Sequence, residues 1–312
     1  MFKNKYGELR SGISIAIAMV LYFVVFSVFL SVIASSLLAG RGELVNSEAL
    51  NENLTLVFEN EVKTNPLYIL FAEALSLATV LATFKLTYKR PFTQMGFAKR
   101  QWFGKFVYGC VFGVIAISAV CVPMFLTGAV TITSIDFPNG LFLAWIPAYI
   151  SIGFAEEALF RGYCMTALKT TRSKYAVIII PSVFFAVLHA SNSGFDFASF
   201  ALLNLFLSGV MFGLMFLKSG SIWIPAGFHA IWNMFTGIVY GMSVSGSFNS
   251  ASIIKSDMTG SSPLITGGDF GPEASVTVIA VAILSSAFML FAYKPKTPAE
   301  WTVDSDLPFI KG

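Results

Sequence analysis

Ala155-Glu156-Glu157-Ala158-Leu159-Phe160-Arg161-Gly162-Tyr163 sets three charges inside one of the most apolar regions of the chain. A charge at membrane depth is costly, so by default it marks a functional site. The chain has two histidines, His189 and His229, and both lie in hydrophobic segments that follow this stretch. Three polar clusters buried in apolar sequence, converging on one site, is the reading from which the rest follows.

The composition around the stretch is that of a membrane protein. Of 312 residues, 56% are hydrophobic and only 12% charged, whereas charged residues make up about a quarter of a soluble domain. About 20 helical residues cross a ~30 Å hydrocarbon core. Apolar stretches of about that length occur at 12–38, 67–88, 106–133, 140–168, 175–192, 197–217, 221–242 and 275–293. The expected fold is all-α: about eight transmembrane helices in one bundle around an intramembrane polar cavity. It forms a single domain over 1–312.

Orientation follows from Lys and Arg, which accumulate in cytoplasmic loops. Lys3, Lys5 and Arg10, then Lys85, Lys89, Arg90, Lys99, Arg100 and Lys105, then Lys169, Arg172 and Lys174, and finally Lys218, Lys294, Lys296 and Lys311 all fall on one side. The other side holds Arg41, Lys63 and Lys255 among a majority of acids that includes Glu43 and Glu48. Both termini are therefore expected in the cytoplasm of a cell-membrane protein, with 39–66 and 243–274 as extracytoplasmic loops. The net charge of +3 divides between two faces, so the basic residues meet anionic lipid rather than nucleic acid. Cys110, Cys121 and Cys164 fall inside spans and read as packing residues. Glu73, in the second span, reads as a structural hydrogen-bonding group.

Within the fourth span Glu157 and Arg161 are four residues apart in the favourable acid-first order for a helical ion pair. Glu156, about 100° around the helix, is left without that partner and is free for proton transfer. A tight helical hairpin pairs positions equidistant from its turn, and a turn centred at Arg172-Ser173 sets Glu156 opposite His189. A carboxylate facing an imidazole is a competent pair for activating water. His229 and Asn233, on one face of the seventh span, supply N–H donors for a developing oxyanion.

Glu156-Glu157-x-x-x-Arg161, Phe185-x-x-x-His189 and His229-x-x-x-Asn233 resemble the three signature motifs of the CPBP intramembrane protease family, also called the CAAX protease and bacteriocin-processing or abortive-infection family. The resemblance covers about residues 140–240. It implies a glutamate-type endopeptidase in which Glu156, assisted by His189, activates water while His229 and Asn233 hold the oxyanion and Glu157 and Arg161 support them. It also implies a membrane-associated peptide or protein substrate, with lipid-modified CAAX-type tails among the candidates, and no cofactor.

Two alternatives stay open. Glu156, His189 and His229 have the donor types of a catalytic zinc site, although no His-Glu-x-x-His run is present. A non-catalytic immunity or scaffold protein that binds a peptide or lipid in the same cavity is the other.

Overall fold

The computed structural model describes residues 2–3, 9–41, 50–137, 140–171, 173–247, 251–258 and 262–295. Lys5, Glu43, Glu48, Arg172, Lys296 and Lys311 lie outside the described residues.

The bundle begins with α1 (Ser11–Arg41), followed by the short α2 (Leu50–Val57) and α3 (Pro66–Tyr88), which packs back along α1. Asn65 starts α3 by accepting a hydrogen bond from Leu67 N at 3.0 Å, with Pro66 at the first helical position, where its missing N–H costs nothing. Next come α4 (Trp102–Leu126), the strand β1 (Thr131–Ile135), α5 (Trp145–Glu157), α6 (Met165–Leu168), α7 (Lys174–Leu188), α8 (Ala201–Ser219) and α9 (Trp223–Met234). The strand β2 (Ile254–Asp257), α10 (Pro263–Thr266) and α11 (Val276–Ala287) complete it.

The fold is all-α, multi-pass and membrane-embedded, as expected, with three differences in detail. Among the described residues six helices are long and apolar enough to cross a membrane: 11–41, 66–88, 102–126, 142–171, 174–191 and 201–219. The expected seventh and eighth spans are shorter helical segments, 223–239 and 276–292. The seventh is enclosed by α4, α5 and α8, so protein rather than lipid satisfies its surface.

The expected third span also stops early. Residues 131–135 leave the helix to pair antiparallel with β2, a two-stranded ribbon outside the bundle. The fourth span, expected as one regular helix, changes at Ala158–Cys164 to π-helix before resuming as α6. Wide turns of this kind recur at functional sites, and this one carries Arg161.

Close backbone approach positions α9, which carries His229. A Cβ on Gly109 of α4 would lie 2.1 Å from the Ile224 carbonyl oxygen, and one on Gly153 of α5 would lie 2.8 Å from Ala230 N. Small residues let helices in lipid gain packing contacts that the hydrophobic effect does not supply there. The core is dominated by Phe, Met and small residues, among them Phe84, Phe160, Phe216, Phe228, Met95 and Met215.

Candidate active site

Glu157 and Arg161 form the foundation of the site. Arg161 Nη1 donates to Glu157 Oε1 at 2.8 Å, with the two side chains 1% and 0% exposed. The guanidinium also donates from Nη2 to the Gly209 carbonyl of α8 at 3.1 Å. Its planar carbon lies 4.8 Å from the Phe185 ring centroid and 5.0 Å from that of Phe212, so the cation is held by a carboxylate, a carbonyl and aromatic faces together. Removed from water, it links α5, α7 and α8.

His229 connects this foundation to the cavity. Its Nδ1 donates to Glu157 Oε1 at 3.1 Å, because a carboxylate oxygen only accepts. Its ring stacks on Phe212 at 5.0 Å. That anchoring turns Nε2 toward Glu156, whose Oε2 lies 3.9 Å away. The separation is too long for a direct hydrogen bond and short enough for one water to be shared between the two groups. Glu156 Oε2 is buried and has no hydrogen-bond partner among the described residues, and Glu157 Oε2 is in the same condition. A buried polar atom left without a partner calls for an explanation, and of the two residues it is Glu156 that lines a cavity where a partner could enter.

Glu156, His189, His229 and Asn233 all line one cavity of about 380 Å³, within the range of small-ligand sites. Glu157 and Arg161 lie behind its wall. His189 sits at the end of α7, where its Nδ1 donates to the Phe185 carbonyl at 2.7 Å. In the neutral ring that bond leaves Nε2 as a lone-pair acceptor. The expected pairing of Glu156 with His189 takes a different form: both face the cavity, no ion pair joins them, and His229 is the imidazole within 4 Å of Glu156. The hairpin arithmetic assumed a uniform helix, whereas the π-helical segment lies between Glu156 and the turn.

Asn233, one turn beyond His229 on α9, is 6% exposed and lines the cavity. Among the described residues no three His, Cys, Asp or Glu side chains converge as a metal-binding group. Glu156, His189 and His229 do share the cavity.

Two acidic residues assigned no part in the site also border the cavity. Glu73 of α3 accepts from the Tyr22 hydroxyl of α1 at 2.8 Å, and both are buried. This is the hydrogen bond expected for Glu73, with a partner 51 residues away in sequence. Glu273 accepts from Trp232 Nε1 at 2.9 Å and from the Ser245 hydroxyl, tying the 243–274 segment to α9 at the rim. No local pattern around either residue signals these contacts.

The site is thus a buried, polar, carboxylate-and-imidazole cavity in a multi-pass helical membrane protein. Residues 138–235, roughly a third of the chain, match the family described as Type II CAAX prenyl endopeptidase Rce1-like. No curated protein and no solved structure matches the chain. The matched segment contains all three polar clusters, so it is in this third of the chain, the part that carries the site, that the protein is similar to a family of CAAX-type endopeptidases.

Proposed function

We propose that the chain hydrolyses a peptide bond with a water activated by Glu156, as a cell-membrane enzyme whose termini face the cytoplasm. The observation that carries this reading is the buried Glu156 oxygen without a partner, 3.9 Å from His229 Nε2, in a cavity that also holds His189 and Asn233. A single transmembrane domain over 1–312, with its core at 140–240, frames the site.

In this mechanism the ionised Glu156 takes a proton from water as the oxygen attacks the carbonyl carbon. The carbonyl π electrons move onto its oxygen, and the Asn233 amide N–H stabilises that oxyanion. His229, with Nδ1–H held by Glu157, adds a second donor from Nε2 when the ring is doubly protonated. His189 offers the Nε2 lone pair to orient the same water. Collapse of the tetrahedral intermediate restores the carbonyl and breaks the C–N bond, and the Glu156 carboxylic acid returns its proton to the leaving amine. Arg161 holds Glu157 in place throughout.

Purified protein in detergent, freed of metal and given a fluorogenic peptide, tests the reading. Glu156→Gln preserves shape but removes the proton acceptor, so turnover falls by the ~10²–10⁴-fold of a lost acid–base group, while the melting temperature stays near that of the parent. Parent-like turnover in Glu156→Gln overturns the glutamate mechanism. Activity that requires added zinc supports the metal reading instead.

A further inference from the structure

The cavity opens toward one end of the bundle, and the charges say which end that is. Its lining includes Lys63, Asn192, Ser193, Ser245, Ser247 and Glu273, all from segments at the end where α1 and α9 finish, and Ser193 and Ser247 among them are exposed, which puts the mouth there. Among the described residues none of its lining comes from the loops at 89–101 or 169–174 or from the turn at 218–222.

That second end is sealed. Residues 92–98 fold beneath the bundle, with Met95 and Ala98 fully buried. The Gly96 carbonyl accepts from Ile222 N at 2.9 Å, the Ala98 carbonyl from Trp223 Nε1 at 2.7 Å and the Gln94 carbonyl from the Thr166 hydroxyl at 3.2 Å. Backbone hydrogen bonds and buried apolar side chains thus stand between the site and the sealed end.

The described loops at the sealed end contain Lys and Arg and no Asp or Glu, whereas the open end carries Glu52, Glu59, Glu61, Asp136, Asp196, Asp257 and Asp269 beside few basic residues. The excess of Lys and Arg marks the cytoplasmic face. Access to the catalytic groups is therefore from the opposite side.

We infer that the substrate is a polypeptide segment presented at the extracytoplasmic surface of the membrane, rather than a lipidated tail held in the cytoplasmic leaflet. The walls suit such a segment: Phe23, Phe26 and Leu30 of α1 and Leu188 of α7 give an apolar flank, and Asn192 and Ser245 give hydrogen-bonding groups at the mouth. This inference rests on the endopeptidase reading for its chemistry and on the charge and cavity geometry for its direction.

The test separates the two. Ser193→Cys and Ser247→Cys, both exposed at the mouth, are labelled in intact cells with a membrane-impermeant maleimide, beside Gln101→Cys at the sealed end and the parent protein as background. The mouth positions are expected to label without permeabilisation and position 101 only after it. The reverse pattern overturns the inference.

In the same cells two reporters carry one cleavable segment, the first exported and membrane-anchored, the second at a cytoplasmic prenylated tail. The exported reporter is expected to be cut, with a loss of ~10²-fold or more in Glu156→Gln. Glu156-dependent cutting of the cytoplasmic reporter alone overturns the substrate assignment. If neither reporter is cut in a Glu156-dependent way, the endopeptidase reading fails and the substrate assignment with it, while the labelling still decides which face the cavity opens to.

Discussion

At the scale of single residues, the adjacent carboxylates Glu156 and Glu157 have different surroundings and hence different expected phenotypes. Glu157 is committed through Oε1 to Arg161 and His229, whereas Glu156 lines the cavity; each keeps a second oxygen without a partner. Arg161→Ala strands the Glu157 charge in a site from which water is removed, and breaking a buried pair in this way costs about 3–5 kcal/mol. A sharp drop in folded yield and melting temperature is expected, read by size-exclusion chromatography and thermal scanning in detergent. Asn233→Ala removes the proposed oxyanion donor, so turnover should fall by ~10²–10³-fold with the fold intact. Combining it with Glu156→Gln should cost much less than the product of the single losses, because both groups act on one reaction centre; multiplicative losses would show that they act independently.

At the scale of elements, the placement of α9 depends on glycines that admit its backbone. At Gly109 a methyl group would enter the Ile224 carbonyl, whereas Gly104, on the same helix, has nothing within 4 Å of the added carbon. Gly109→Ala is expected to lower stability by about 1–3 kcal/mol or more through overpacking, and Gly104→Ala to leave it unchanged or slightly raised, since alanine favours helix. Melting temperatures of the two variants side by side decide this.

The end of α1 is tied to the 58–62 turn by Arg41, which donates to Glu61 at 2.8 and 2.5 Å. The hydrogen bonds from Arg41 hold the Glu61 carboxyl below its ordinary value. A depressed carboxylate contributes stability above its unfolded pKa and loses it as pH falls through the folded one. The pair is solvent-exposed, so Arg41→Ala should change the melting temperature little at neutral pH and flatten the remaining acid dependence. A large neutral-pH loss in that variant would mean that the pair is shielded from solvent.

At the scale of the whole molecule, orientation and access are one question, because the basic end and the sealed end coincide. Replacing Lys89, Arg90, Lys99 and Arg100 with neutral residues weakens the charge bias that orients the bundle. Mixed orientation is expected, measured as partial protection of a C-terminal tag from protease outside the cell, without loss of the folded bundle once it is extracted. Complete retention of a cytoplasmic C-terminus would show that these four charges do not set the topology.

The sequence by itself determined the membrane class, the helical architecture and the identity of the clusters at 156–161, 189 and 229–233, because hydrophobic length and stranded charges are local properties of a chain. The Glu157–Arg161 pair was legible for the same reason: four residues on a helix fix the distance. Only the tertiary structure decided that His229 rather than His189 approaches Glu156, since the π-helical segment at 158–164 alters the register on which hairpin counting depends. It also brought Tyr22 to Glu73 and Trp232 to Glu273, contacts between elements remote in sequence that leave no periodic trace. The direction in which the cavity opens is likewise tertiary, because it depends on which loops fold across an end of the bundle, and residues 92–98 close this one through carbonyls that any sequence carries.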